Sequence, residues 1–188
     1  MSTERIIVVR SVVNQLLQHI RSMLQTFPAR CDMVTEKAAN RTLALINDAL
    51  DKGAVLQSGT RADLLHGASM ATTVLSNLTP EMDLFTTESF GACVGIIEVQ
   101  DASAAVEMAN RSFYGLSASI FSKDLSRAIA VGKMLQYGAV HINSMTLHDE
   151  ATLPHGGVKD SGYGRFGSRW GISEFVQTKN ILVHGIKF

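Results

Sequence analysis

The stretch CVGIIEVQDASAAVEMANRSFYGLSASIFSKD, residues 93–124, passes from one structural period to another and back. Residues 93–99 are a short β-branched run that predicts a strand. Asp101 is placed to cap a helix running from Ala104 to Asn110. Tyr114-Gly115 reads as a turn, and 116–122 as a second strand. The cycle then repeats. Asp124 starts a helix bearing Leu125, Ala128, Ile129 and Leu135, Gly138 ends it, and Ala139 to Asn143 is the next strand. Strands alternating with helices of this length imply βαβ units, hence an α/β fold with a parallel sheet flanked by helices and right-handed crossovers.

The pattern extends upstream. Ile6-Ile7-Val8-Val9 is an uninterrupted β-branched run, the mark of a strand covered on both faces. Val12, Val13, Leu16, Leu17, Ile20, Met23 and Leu24 then recur at three- and four-residue steps and form one apolar helical stripe, which stops near Phe27-Pro28 because proline has no amide hydrogen to give. A second helix follows the capping Thr35, turns Ala38, Ala39, Ile46, Ala49 and Leu50 inward, and closes at Gly53.

Composition narrows the function classes. The 188 residues suit one domain of ordinary size. Seventeen basic residues cancel seventeen acidic ones, so no charge footprint points to nucleic acid or to an anionic membrane. Cys31 and Cys93 are far apart and lack metal-ligand spacing, no signal peptide is recognisable, and no apolar run has the length of a membrane span, so a cytoplasmic protein is expected.

Residues 144–170 break the alternation with the glycine-rich loop LPHGGVKDSGYGRFG (153–167), which follows the carboxyl end of a strand, where open α/β sheets bind ligands. Gly162, Gly164 and Gly167 spell G-x-G-x-x-G, but that fingerprint needs a strand directly before it, a helix after it and a later acidic residue. Loop precedes it here, so a packed glycine loop is expected instead of a dinucleotide turn.

TESFG (87–91), ANRSFYGLSASIFSKD (109–124), GAVHIN (138–143) and LPHGGVKDSGYGR (153–165) resemble, in order, the signatures of the C-terminal half of the NAD(P)-dependent aldehyde dehydrogenase superfamily. HDEATLPHGGVK resembles the aromatic-aldehyde branch, of salicylaldehyde or vanillin type. The resemblance implies a catalytic domain over 1–176 and an oligomerisation strand or tail over 177–188, with a homodimer as the expected assembly. It places Met1 just after the family's nucleophilic cysteine, in a pattern of the form G-Q-x-C-M-S-T-E-R. Thiolate, general base, side-chain oxyanion donor and Rossmann domain would then precede these residues. Glu88 and Phe90 match the family positions for the nicotinamide ribose and ring. NAD(P) enters by this resemblance alone, and weak or no binding is expected of the chain by itself. Ala92 stands where the family usually has proline, Thr87 where it usually has glutamate, and Thr72 where proline is common.

Neither cysteine is expected to replace the nucleophile, since Cys31 falls in an interhelix segment and Cys93 within a strand. His148, Asp149, Glu150 and His155 lie near the region that forms the family's substrate mouth, and imidazole exchanges protons near neutral pH. They are the candidate catalytic residues for cofactor-independent isomerisation, dehydration or cyclisation of a reactive carbonyl compound in a biosynthetic pathway. His141 with His148, Asp149 and His155 matches no zinc spacing, and no metal is expected. Lys159 and Arg165 flank glycines that could hold an anion. Asn180 to Ile186 reads as an extended strand in need of a partner. Besides the repurposed enzyme, two further hypotheses stand: a noncatalytic, partner-binding remnant, and an aldehyde oxidoreductase completed by another chain.

Overall fold

Ile6 to Val9 do form a covered strand. A computed structural model describes residues 3–185, and the chain divides into two compact units, Met1–Ser112 and Phe113–Phe188. The first unit runs β1 (Arg5–Val9), α1 (Arg10–Leu24), β2 (Arg30–Asp32), α2 (Glu36–Asp51), β3 (Val55–Leu56), β4 (Leu65–His66), β5 (Ser69–Ala71), β6 (Thr73–Ser76), α3 (Asp83–Thr86), β7 (Cys93–Val99) and α4 (Ala102–Asn110). Its main sheet has the order β1-β7-β6-β3. β1 and β6 both lie parallel to β7, with Arg5 opposite Gly95 and Val9 opposite Val99.

Alternation along β1 explains the apolar run. Ile6 and Val8 join Val13, Leu16, Leu17, Ile20 and Leu24 of α1 on one face. Ile7 and Val9 pack on the other face with Leu45, Ile46 and Ala49 of α2 and Ala104, Ala105 and Met108 of α4. Each such aliphatic side chain, fully buried, contributes about 1.5–3 kcal/mol. The expected caps form: the Thr35 hydroxyl accepts from the Ala38 amide at 3.1 Å, and the Asp101 carboxylate from the Ala104 amide at 2.9 Å. Gly53, at φ 101°, takes the left-handed turn that ends α2.

Two features of this unit depart from the parallel reading. β3 runs antiparallel to β6, so the main sheet is mixed. A separate antiparallel sheet, β2-β5-β4, occupies what reads as interhelix loop. Its strands are two or three residues long, too short to show a period of two.

The second unit contains β8 (Tyr114–Gly115), β9 (Ser117–Ile120), α5 (Leu125–Gly132), β10 (Ala139–Ile142), β11 (Val158–Lys159) and α6 (Ser168–Ser173). β9 and β10 pair in parallel around α5, the expected βαβ unit, and Asp124 caps α5 by accepting from the Arg127 amide at 2.9 Å. The elements are shorter than the sequence suggests. Asn143 adopts φ 55°, its side-chain oxygen accepts from the Ser122 amide at 2.8 Å and its NH2 donates to the Ser122 carbonyl at 2.9 Å, which ends β9 and β10 together. α5 stops at Gly132, not at Gly138, which instead donates its amide to Gly115 at the entrance to β10. Tyr114-Gly115 is a strand, paired with β11, where a turn was expected.

Residues 176–185 belong to neither helix nor strand, and Ile181, Leu182 and Val183 are exposed. The strand expected at 180–186 therefore has no ladder among the described residues, and Ile186 lies outside them. No helix among the described residues is long and apolar enough to cross a membrane.

Candidate functional site

Two loops carry the candidate chemistry, one in each unit. In the first unit the chain leaves α3 and enters β7 through residues 87–92. Ser89 is buried, and the Gly91 amide donates to its hydroxyl at 3.1 Å. The Ser89 and Phe90 amides donate to the two carboxylate oxygens of Glu4, at 3.0 and 3.2 Å. On the opposite side the Arg41 guanidinium donates to the Glu88 and Ser89 carbonyls at 2.9 and 3.1 Å, and the Thr42 hydroxyl to the Ser89 carbonyl at 3.2 Å. Gly91 is packed so tightly on Thr42 that a Cβ would lie 2.5 Å from its methyl group. The backbone is thus clamped by an anion on its amides and a cation on its carbonyls, while Glu88 and Phe90 remain exposed, Phe90 at 68%.

An exposed carboxylate and an exposed aromatic ring on a fixed backbone suit a ribose hydroxyl and a planar heteroaromatic ring. These residues fit the nicotinamide end of NAD(P), and none of their bonds has to break to admit it. Gly162, Gly164 and Gly167 do not fit its pyrophosphate. Loop leads into them and α6 after them has only six residues, so they lack the strand and helix of a dinucleotide turn.

Of the three departures from the family pattern, Thr72 has a local role: its amide donates to Ala29 at 2.9 Å and its hydroxyl to Pro28 at 2.8 Å, and a proline would lose both bonds. At Thr87 and Ala92 the bonds are made by backbone atoms that glutamate and proline also carry, and nothing in the structure explains those two departures.

In the second unit the four candidate acid–base residues fall into two pairs. His148 Nε2 lies 3.1 Å from Glu150 Oε1, with both side chains more than half exposed. His155 Nδ1 lies 3.7 Å from Asp149 Oδ1, with the imidazole 22% exposed. His155 is fixed further by reciprocal backbone bonds to Phe166 at 2.9 Å and by ring contact with it at 5.0 Å. It lines an open cleft of about 430 Å³ together with Gly157, Tyr163, Arg165, Phe166 and Phe175. His141 sits apart on β10, opposite Ser119. Among the described residues no three His, Cys, Asp or Glu side chains come together as a metal site. Arg165 donates to the Gly157 and Gly164 carbonyls at 2.9 and 2.6 Å, so its guanidinium holds the loop, and Lys159 takes φ 55° at the end of β11.

Cys93 is buried in β7, and that burial pushes its thiol up to about 11 from 9.0, which makes it a poor nucleophile at neutral pH. Cys31 is exposed, and it lies between α1 and α2 as expected, within β2 opposite Met70.

The α/β scaffold carries a clamped loop with an outward carboxylate and an outward aromatic ring at the head of a parallel strand. The chain belongs to the aldehyde dehydrogenase family, whose model matches residues 1–181. It is 36% identical over 193 residues to a salicylaldehyde dehydrogenase of Pseudomonas putida, covering 97% of this chain and 39% of that protein. It is 38% identical over 188 residues to a vanillin dehydrogenase of Pseudomonas fluorescens, covering 95% and 38%. Among solved structures, the salicylaldehyde dehydrogenase from Pseudomonas putida G7, complexed with salicylaldehyde, superposes with a TM-score of 0.89 at 31% identity, covering 98% of this chain and 40% of that one. An NADP-dependent glyceraldehyde-3-phosphate dehydrogenase from Bacillus halodurans C-125, complexed with NADP, gives 0.81 at 38% identity, covering 87% and 35%. The chain thus spans about two fifths of the length of the relatives it matches.

Glu88 and Phe90 were legible as candidates from the TESFG motif. Glu4 and Arg41, which hold them, were not, because their partners lie 85 and 47 residues away and no local pattern marks either.

Proposed function

We propose that this chain is the carboxyl-terminal part of the catalytic domain of an NAD(P)-dependent dehydrogenase for aromatic aldehydes, working with a nucleophile, a general base and a dinucleotide fold carried on polypeptide outside these residues. The reaction converts aldehyde, water and NAD(P)+ into carboxylic acid, NAD(P)H and a proton. NAD(P)+, when bound, supplies the hydride acceptor. This chain's contribution is to bind and orient: the Glu88 carboxylate accepts from ribose hydroxyls, and the Phe90 ring gives the nicotinamide an apolar face. The observation that carries the reading is the clamped 88–91 loop, which holds both side chains outward on a backbone fixed by Glu4, Arg41 and Thr42. The aromatic substrate class is supported by the similarity to salicylaldehyde and vanillin dehydrogenases. A homodimer joined through 177–188, in the cytoplasm, completes the proposal.

A second reading, cofactor-independent acid–base chemistry on a reactive carbonyl compound, draws on the His155–Asp149 pair at the cleft. The test is one paired assay. The chain is supplied alone and fused behind the N-terminal portion of the Pseudomonas putida salicylaldehyde dehydrogenase, with salicylaldehyde and vanillin, and both nicotinamide reduction and product mass are followed. The expected result is acid formation by the fusion and none by the chain alone. Turnover by the chain alone at unchanged product mass, abolished by His155→Ala, would overturn the dehydrogenase reading in favour of the second.

A further inference from the structure

We propose that Glu4 is a positioning residue, which ties the nicotinamide seat to the segment entering β1 and so fixes where the Phe90 ring stands. The proposal rests on the reading of the 88–91 loop as that seat. Two successive amides, of Ser89 and Phe90, donate to separate oxygens of one carboxylate at 3.0 and 3.2 Å. A charged acceptor makes the stronger class of amide hydrogen bond, and two bonds to one group fix direction as well as distance. Phe90 needs this restraint. Its φ of 51° lies in a region that aromatic residues seldom occupy, so the surroundings must hold it there. Arg41 and Thr42 bond the carbonyls of Glu88 and Ser89, and Gly91 packs on Thr42 and bonds the Ser89 hydroxyl, while the amide of Phe90 itself is held by Glu4. Glu4 is itself indexed to the sheet, because its own carbonyl accepts from the Gly95 amide of β7 at 3.1 Å. Any displacement of the segment entering β1 therefore carries the loop with it.

The test uses the isotope-labelled chain with nicotinamide mononucleotide as the probe, comparing wild type with Glu4→Gln, which keeps the length but removes the charge. Glu4→Asp is the second variant, able to reach only one of the two amides. Three quantities are followed: amide exchange at residues 89 and 90, probe-induced shifts at residues 88 and 90, and the melting temperature. The expected result is an unchanged melting temperature, exchange at Ser89 and Phe90 faster by about tenfold or more with β7 unaffected, and probe affinity about tenfold weaker, with Glu4→Asp intermediate. Probe shifts at 88 and 90 of equal strength in wild type and variants would leave the cofactor seat standing and overturn the role of Glu4. Absence of those shifts in the wild type would overturn the seat itself and the positioning role with it. Faster exchange with unaltered probe affinity would reduce Glu4 to a structural contact and also overturn the proposal.

Discussion

In the first unit the 88–91 loop hangs between Glu4 and Arg41, above a core that holds Ile46, Leu75, Met82 and Ile96 almost fully buried. In the second unit the glycine loop is held by close backbone contacts and by the Arg165 guanidinium, and among the described residues Ala128 is the buried apolar side chain, while Phe113, Phe121, Met145 and Leu147 stay exposed. The first arrangement depends on charge at its amides and carbonyls, and on volume where Gly91 meets Thr42. The second depends on volume, because a hydrogen atom in place of a methyl group is what lets its strands of chain touch.

The deepest contrast is in the cores. Leu75→Ala opens a cavity in a fully buried position and is expected to cost about 2–5 kcal/mol. Val140→Ala, on half-buried β10, is expected to cost about 1 kcal/mol. Urea midpoints of the two variants measure both, and equal losses would erase the contrast. Gly138→Ala comes next. Its Cβ would lie 1.7 Å from the Gly156 carbonyl oxygen, so the 153–167 loop must move, at about 1–3 kcal/mol. Proteolysis should accelerate within 144–167 while cleavage in the first unit is unchanged. Asp101→Ala and Asp124→Ala remove one helix cap from each unit, and each is expected to cost about 1 kcal/mol. Equal effects would show that capping is indifferent to the surrounding core.

The smallest effect concerns pH. The Lys52 ammonium bonded to Asp48, helped by the Asp83 amide, holds the Asp48 carboxyl below its ordinary value of 3.8. A depressed carboxyl adds stability that is fully present above 3.8 and is lost as pH falls through the lower folded value. Asp48→Asn should therefore lower the neutral plateau of the melting curve slightly, flatten its fall below pH 3.8, and meet wild type at the acid end.

The capped helices were legible because a helix start is written in adjacent residues: Thr35, Asp101 and Asp124 each bond an amide three positions on. Ile6 to Val9 were legible by composition. The β2-β5-β4 sheet was not, because Arg30, Asp32 and Ser69 carry no apolar alternation and the pairing joins residues about forty positions apart. The end of α5 was misread because Leu135 continues the apolar spacing past Gly132, where the helix stops. At the candidate site, Glu88 and Phe90 could be singled out by motif. The four acid–base candidates are neighbours in sequence, and a sequence cannot show that they would separate into a His148–Glu150 pair and a His155–Asp149 pair.

The register of β1 on β7 also sets an order of events in folding. Arg5 pairs opposite Gly95 across about ninety residues, and closing a loop of that length costs about 4 kcal/mol of chain entropy before any contact repays it. During synthesis β1 leaves the ribosome well before β7, and the pair forms only once β7 follows it out. The Glu4 clamp, which needs β1 seated, can therefore close only at the end. Partly made chains would carry Phe90 on an unfastened loop, and the 88–91 loop would mature last of all in this unit.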